Sequence, residues 1–234
     1  MRAVAPKPGD AVVEIGPGLG ALTGSLRDAA GSLDVIELDR DLAAKLEARF
    51  DPDTVRVHRL DALKFDFKAL SRERGPLRVV GNLPYNISTP ILFHLVDAGS
   101  GIRDMHLMLQ KEVVDRMAAG PGGRDYGRLS VMIQFRCRVE TLFSVGPGAF
   151  SPPPKVHSAV VRLVPYETPP VRVTHSHQLE RVVLMAFGMR RKTLRNSLKP
   201  LLSAAEIEAA GVDPGARPET LDLARFAALA NQLR

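Results

Sequence analysis

The sequence predicts an α/β fold. A mostly parallel sheet is covered on both faces by helices, bears an antiparallel edge, and is followed by a small all-helical domain. Three observations predict it. Short apolar runs alternate with amphipathic helical segments from residue 11 to residue 119. Two strand-like runs, near residues 140 and 160, have no helix between them. Beyond Pro165-Tyr166-Glu167-Thr168-Pro169-Pro170 the chain keeps helical periodicity and shows no clear strand. Strands that alternate with helices are parallel and buried on both faces, and a proline-rich junction before a new structural class marks a domain boundary.

The elements follow in order. AVVEI (11–15) reads as a buried strand, followed by a glycine-rich turn and a helix from Ala21 to Ala30. LDVIEL (33–38) is a second strand, and DRDLAAKLEARF a second helix. TVRVHRL (54–60) and LRVVGN (77–82) are the third and fourth strands, with a helix over 88–97. DMHLMLQ (104–110) alternates its apolar residues as a strand does, and KEVVDRMAA follows as a helix. VETLFSV (139–145) and VHSAVVRLV (156–164) are expected to pair as an antiparallel hairpin at the sheet edge. The boundary is placed near residue 166, giving domains over 1–166 and 167–234.

Composition narrows the function classes. The 234 residues are 45% hydrophobic, enough for a real core. A lone cysteine, Cys137, allows no internal disulfide and points to a reducing compartment. With no histidine near it in sequence, it reads as a packed thiol. No signal-like apolar core opens the chain, and no run reaches the roughly 18 apolar residues of a membrane span. A cytoplasmic protein with no membrane partner is expected. The histidines show no metal-ligand spacing, so no metal is expected. Net charge is +6, with arginine concentrated in 124–138 and 190–199, so location matters more than the total.

Three strand ends carry chemistry. Glu14-Ile15-Gly16-Pro17-Gly18-Leu19-Gly20 closes the first strand and opens the first helix. Glycines there let a ligand approach the backbone, and the helix start offers free N–H groups. Gly16, Gly18 and Ala21 also fit the relaxed dinucleotide pattern, and a tight turn without a ligand fits too. Glu37 ends the second strand, where a carboxylate accepts hydrogen bonds from two ribose hydroxyls. Asp61 follows the third strand, placed to face the exocyclic amine of an adenine. Leu38 and Ala62 adjoin these acids and complete the expected cofactor set. Ligands of open α/β sheets bind at the carboxyl ends of the strands. NAD and S-adenosyl-L-methionine both carry an adenosine; Glu14 and the third close glycine, Gly20, favour the latter.

The fourth strand ends in Asn82-Leu83-Pro84-Tyr85. The N6 lone pair of adenine is delocalised into the ring, so the amine is a poor nucleophile. Accepting both N6 hydrogens, through the Asn82 side-chain oxygen and the Leu83 carbonyl, helps it. Pro84 holds Leu83 extended, and the Tyr85 ring offers a stacking face. Positioning matters more than a strong base.

These residues match the amino-methyltransferase pattern [DNS]-[PIL]-P-[YF]. With EIGPGLGALT, IELDRDL, DAL, GNLPYNIS, MLQKEV, YGRLSV and AFSPPPKVHSAV, nearly the whole chain resembles the bacterial small-subunit ribosomal RNA adenine N6-dimethyltransferases, the kasugamycin-sensitivity family. The resemblance implies a Rossmann-like S-adenosylmethionine-dependent methyltransferase domain. It implies two adjacent adenosines near the 3′ end of small-subunit rRNA as substrate, each dimethylated on N6 within a late 30S particle. It places Gly16, Glu37, Asp61 and Asn82 at the cofactor, Asn82, Leu83 and Tyr85 in the catalytic motif, and Phe150 against the target base; a loop anchor in the core also fits Phe150. The family normally carries a further N-terminal segment with a Q-H-F-L-type motif, whereas this sequence begins ten residues before the first strand. A large-subunit resistance methylase is the neighbouring alternative, against which Leu83 and the GAFSPPPKVHS block lean; a ribosome-assembly or nucleic-acid-binding protein with impaired catalysis is another.

For RNA, MRRKTLRNSLKPLL (189–202) is expected to be a basic helix with Arg191, Arg195 and Lys199 on one stripe and Phe187, Leu194, Leu198 and Leu201 on another. Arg190, Lys192, Lys155 and the loop arginines Arg124 and Arg128 complete the expected phosphate contacts. A solvated basic face and a plain surface turn remain alternatives. A monomer is expected.

Overall fold

Apolar strands flanked by amphipathic helices fold as a doubly wound sheet. In chain order the elements are β1 (Val12–Ile15), α1 (Thr23–Ala30), β2 (Leu33–Glu37), α2 (Arg40–Arg49), β3 (Val55–Arg59), α3 (Phe67–Arg74), β4 (Leu77–Asn82), α4 (Ser88–Asp97), β5 (Ile102–Gln110) and α5 (Lys111–Ala118). Then come α6 (Arg128–Arg136), β6 (Cys137–Val145), β7 (Ser158–Pro165), α7 (Ser176–Gly188), α8 (Leu194–Ser197), α9 (Ala204–Ala209) and α10 (Leu223–Ala230). The structure, a computed structural model, describes every residue except Tyr85, Asn86, Ser151, Pro152, Arg190 and Arg234.

The sheet order is β3-β2-β1-β4-β5-β7-β6. β1 through β5 pair in parallel, and every residue of β1 and β2 is buried, as a sheet covered on both faces requires. β7 runs antiparallel to β5, with β6 as its outer neighbour, so the antiparallel edge lies where the sequence places it. The order reverses between β1 and β4. The chain leaves β1 toward β2 and β3, then returns to the other side of β1 as β4. Right-handed crossovers then put α1 and α2 on one face and α3 and α4 on the other, leaving a crevice beyond the carboxyl ends of β1 and β4. Under α1 and α2, Val12, Leu26, Leu33, Val35, Leu46, Val55 and Val80 form one apolar cluster.

A polar anchor sits near the start of β4. The Arg78 guanidinium donates to both carboxylate oxygens of Asp104 (both 3.0 Å), to Asp10 (2.8 Å), and to the carbonyls of Val4 and Ala5. Arg78 and Asp104 are both buried, so the pair is tolerable only because each group is met several times.

The chain divides into two compact units: Met1–Val114 with Glu140–Pro165, and Asp115–Val139 with Tyr166–Arg234. The last of these junctions lies between Pro165 and Tyr166. The helical unit also takes Asp115–Val139, so it is not a plain C-terminal tail. α6 explains this. It packs with α7 and α10 and buries Ser130, Val131, Met132, Ile133 and Phe135. A helix apolar around most of its circumference shows no amphipathic period, and the sequence does not announce it. In the same unit the Phe187 ring packs against Tyr126 and Phe226.

Candidate active site

The turn after β1 is built by glycines in left-handed backbone. Gly16, Gly18 and Gly20 have φ of +65°, +59° and +81°, which L side chains rarely adopt. The Gly16 N–H donates to the Ile36 carbonyl at 3.0 Å, and the Gly20 N–H to the Pro17 carbonyl at 2.9 Å. Gly20 is tightly packed: a Cβ there would lie 3.2 Å from Leu46 Cδ2 and 3.4 Å from Thr23 Oγ1, so those side chains would have to give by a few tenths of an ångström. At Gly18 a Cβ would meet nothing within 4 Å, and at Gly16 only the Asn82 carbonyl oxygen, at 3.8 Å. The loop therefore packs tightly on its protein side and is open on the other.

Of the acids expected at the strand ends, Glu37 reaches this loop directly. Glu37, the last residue of β2, is 8% exposed. Its Oε2 accepts from the Gly18 N–H at 3.1 Å, and its Oε1 from the Asp39 N–H at 3.0 Å. Leu38 beside it is 67% exposed, an open apolar side chain at the same strand end. Asp61 caps the short 3-10 turn Ala62–Lys64, its Oδ1 accepting from the Leu63 N–H at 2.9 Å. Ala62 is buried beneath it. Open glycine backbone, a carboxylate and an apolar surface side by side suit a nucleoside-bearing ligand such as S-adenosylmethionine.

The second motif reaches the same crevice. Ile15 pairs with Gly81 in the sheet, so the end of β1 and the end of β4 are adjacent. Gly81 sits in a close approach there: a Cβ would lie 3.0 Å from Leu83 Cδ2 and 3.1 Å from the Ile15 carbonyl oxygen, tighter than ordinary contact. Asn82 is exposed. The Leu83 N–H donates to the Met108 carbonyl at 3.2 Å, and its side chain is 1% exposed, so the residue is fixed in the sheet. The Pro84 carbonyl accepts from the Ile87 N–H and the Ser88 hydroxyl, starting α4. Tyr85 lies outside the described residues. Phe150 is half-buried, just after the 3-10 turn Pro147–Ala149.

The family model for ribosomal RNA adenine dimethylases matches residues 1–234. The chain belongs to that family. Among relatives, the ribosomal RNA small subunit methyltransferase A of Pseudomonas savastanoi pv. phaseolicola is 62% identical over the whole of this chain and 87% of that protein. The protein of the same name from Pseudomonas aeruginosa is 59% identical, with the same coverage. Among solved structures, a dimethyladenosine transferase from Plasmodium falciparum matches with a TM-score of 0.78 at 26% identity, covering 97% of this chain and 91% of that one. The 23S rRNA methyltransferase ErmE matches with a TM-score of 0.76 at 26% identity, covering 99% and 94%. The two solved structures, a dimethyladenosine transferase and a 23S rRNA methyltransferase, match the fold almost equally well.

The structure shows the surroundings of Glu14 and corrects the basic helix. Glu14 is expected at the cofactor, but its carboxylate is 3% exposed and accepts from Thr23 Oγ1 at 2.6 Å. Burial pushes its pKa up to about 7, opposed by the Thr23 hydrogen bond and helped by the nearby Glu37 charge. The basic segment 189–202 is not one helix. α7 ends at Gly188 and α8 spans only Leu194–Ser197, so Arg191, Arg195 and Lys199 form no helical stripe. Tertiary hydrogen bonds break it: the Leu194 and Arg195 N–H groups donate to the Ala216 and Pro214 carbonyls. Leu194 and Leu198 are fully buried, while Arg191, Lys192, Arg195 and Lys199 are exposed. Arg190 lies outside the described residues. Arg124 and Lys155 are exposed, and Arg128, also exposed, is 3.6 Å from Glu180.

Three residues escaped the sequence reading. Thr23 ends the GALT run, where its hydroxyl reads as ordinary helix-start chemistry. Arg49 donates to the Leu19 carbonyl at 3.1 Å while lying over the Phe50 ring, a contact across 30 positions that no local signal announces. Gly81 immediately precedes Asn82, and a glycine inside a strand pattern was the available cue. Among the described residues, no cluster of three or more His, Cys, Asp or Glu could hold a metal ion, and no helix is long and apolar enough to cross a membrane.

Proposed function

We propose that this protein transfers methyl groups from S-adenosylmethionine to N6 of two adjacent adenosines in the 3′-terminal hairpin loop of small-subunit rRNA, giving N6-dimethyladenosine. It acts on the 30S particle late in assembly, as a cytoplasmic monomer. Family membership and the small-subunit methyltransferase relatives support the reaction class and the acceptor. The observation that carries the site is the juxtaposition of the open glycine loop with Asn82: the Asn82 carbonyl oxygen is 3.8 Å from where a Gly16 Cβ would stand.

When bound, S-adenosylmethionine supplies an electrophilic methyl group on a sulfonium. The chain's own residues supply position. The backbone of Gly16 and Gly18 lets the cofactor approach, Glu37 accepts from the ribose hydroxyls, and Leu38 covers an adenine face. Asp61, with one carboxylate oxygen used by its turn, offers the other to the adenine amine. The Asn82 side-chain oxygen and the Leu83 carbonyl accept from the target N6 hydrogens and so localise the nitrogen lone pair; Tyr85 and Phe150 stack on the target base. Arg124, Arg128, Lys155, Arg190, Arg191, Lys192, Arg195 and Lys199 contact phosphates. Electrostatic positioning of this kind contributes without a strong base.

Asn82→Ala should cut transfer of labelled methyl from S-adenosylmethionine to under-methylated 30S particles by roughly a hundredfold or more. Retained transfer would remove Asn82 from its role. Wild-type protein that labels 50S but not 30S particles would overturn the acceptor.

A further inference from the structure

Glu14 and Thr23 bracket the glycine loop: one lies near the end of β1, the other is the first residue of α1. Both are almost fully buried, and a 2.6 Å hydrogen bond joins them. The residue preceding α1, Leu22, gives no side-chain cap, so the helix start is not fixed by a capping side chain. Thr23 Oγ1 also lies 3.4 Å from where a Gly20 Cβ would stand, directly beneath the last loop glycine. A buried bond that joins the two ends of a loop limits how far the loop can open. A buried hydroxyl that loses its acceptor is costly, so the two groups stay together.

We infer that the Glu14–Thr23 bond is a positioning clamp that holds the glycine loop in its cofactor-ready shape, and that Glu14 acts through Thr23 rather than by touching the cofactor. The clamp works from beneath the loop. The Glu37 bond to Gly18 and the Arg49 bond to the Leu19 carbonyl hold the loop at other points. The inference rests on the cofactor reading given above, and its test has one arm that does not.

That arm is backbone hydrogen exchange. Thr23→Val, which keeps shape and removes the hydroxyl, should speed exchange of the Gly16, Gly18 and Gly20 amides by about tenfold, while Thr23→Ser restores wild-type rates. The second arm is S-adenosylmethionine affinity by calorimetry. Thr23→Val should weaken binding by about tenfold, with Thr23→Ser again restoring it. Glu14→Leu should match Thr23→Val, and Glu14→Gln, which keeps an acceptor oxygen but no charge, should recover most of the loss. Unchanged loop exchange in Thr23→Val overturns the clamp, whether or not the protein binds the cofactor. Failure of Thr23→Ser to restore overturns it by assigning the effect to packing. If Glu14→Gln loses as much affinity as Glu14→Leu while loop exchange stays at wild-type rates, Glu14 is a direct charged contact and the clamp is wrong. Wild-type protein that binds no S-adenosylmethionine, with faster exchange in Thr23→Val, overturns the cofactor reading and supports the clamp.

Discussion

Gly18→Ala separates what a loop glycine does for folding from what it does for the ligand. Gly18 has φ of +59°, and an added Cβ would meet no heavy atom within 4 Å. The folding cost is therefore backbone strain alone, roughly 1–2 kcal/mol for an L residue in left-handed geometry. For a chain of this length that lowers the melting temperature by about 2–8 °C. The N–H that donates to Glu37 is retained. The new methyl group instead occupies the open side of the loop, where the ligand is placed. Overpacking by a methyl costs roughly 1–3 kcal/mol, so cofactor affinity should fall on the order of tenfold to a hundredfold. Gly31→Ala is the control. Gly31 ends α1 with φ of +90° and also has nothing within 4 Å, so it carries a similar strain with no ligand beside it. Thermal melts and titration calorimetry with S-adenosylmethionine read both effects. A Gly18→Ala protein that melts early but binds like wild type would refute the placement of the cofactor on this loop.

Further outcomes follow from buried polar groups. Arg78→Met leaves buried Asp104 only the more distant Arg162 (3.9 Å) and His106 (3.7 Å) and should cost roughly 3–5 kcal/mol in urea unfolding, most of it recovered in Arg78→Met/Asp104→Leu; a loss below about 1 kcal/mol would show that the anchor contributes little. Burial holds His106 below its usual value of 6.5, with Arg78 and Arg162 pushing the same way and Asp104 opposing. The unfolded chain then takes up this proton first, so the contribution of His106 is complete above about pH 6.5 and is lost as pH falls through its folded value. His106→Leu should flatten the fall in denaturation midpoint between pH 7 and 5, and an unchanged slope would exclude this source. Cys137 is fully buried, and burial pushes its thiol up to about 12. It should resist thiol reagents in the native protein and react once denaturant is added; rapid native labelling would contradict the packing.

Local patterns were legible wherever one element carried the signal. β1 and β2 are short, apolar and bounded by glycine, acid or turn residues, so their burial could be read directly. Asn82, Glu37 and the loop glycines were legible because strand ends in a doubly wound sheet converge, and the alternation of elements gave away that sheet. α6 was not legible because its burial is nearly all round. The segment after α7 has apolar and basic residues at helical spacing, which predicts a helix, while the tertiary hydrogen bonds of Leu194 and Arg195 confine helix there to Leu194–Ser197. Glu14 adjoins the glycines, which predicts a ligand contact, while its direction, toward Thr23, is set by packing that no local pattern announces.

The sequence by itself determined the doubly wound sheet, its antiparallel edge, the glycine loop and the asparagine turn, since each follows from periodicity and residue chemistry within a few positions. The tertiary structure decided which of those groups meet. Register brings Ile15 beside Gly81 and so sets Asn82 against Gly16. Packing turns Glu14 inward to Thr23 and leaves Glu37 at the rim, holding the loop. Such pairings depend on strand order and on which side of a buried strand a side chain points, and no local stretch of the chain contains that information.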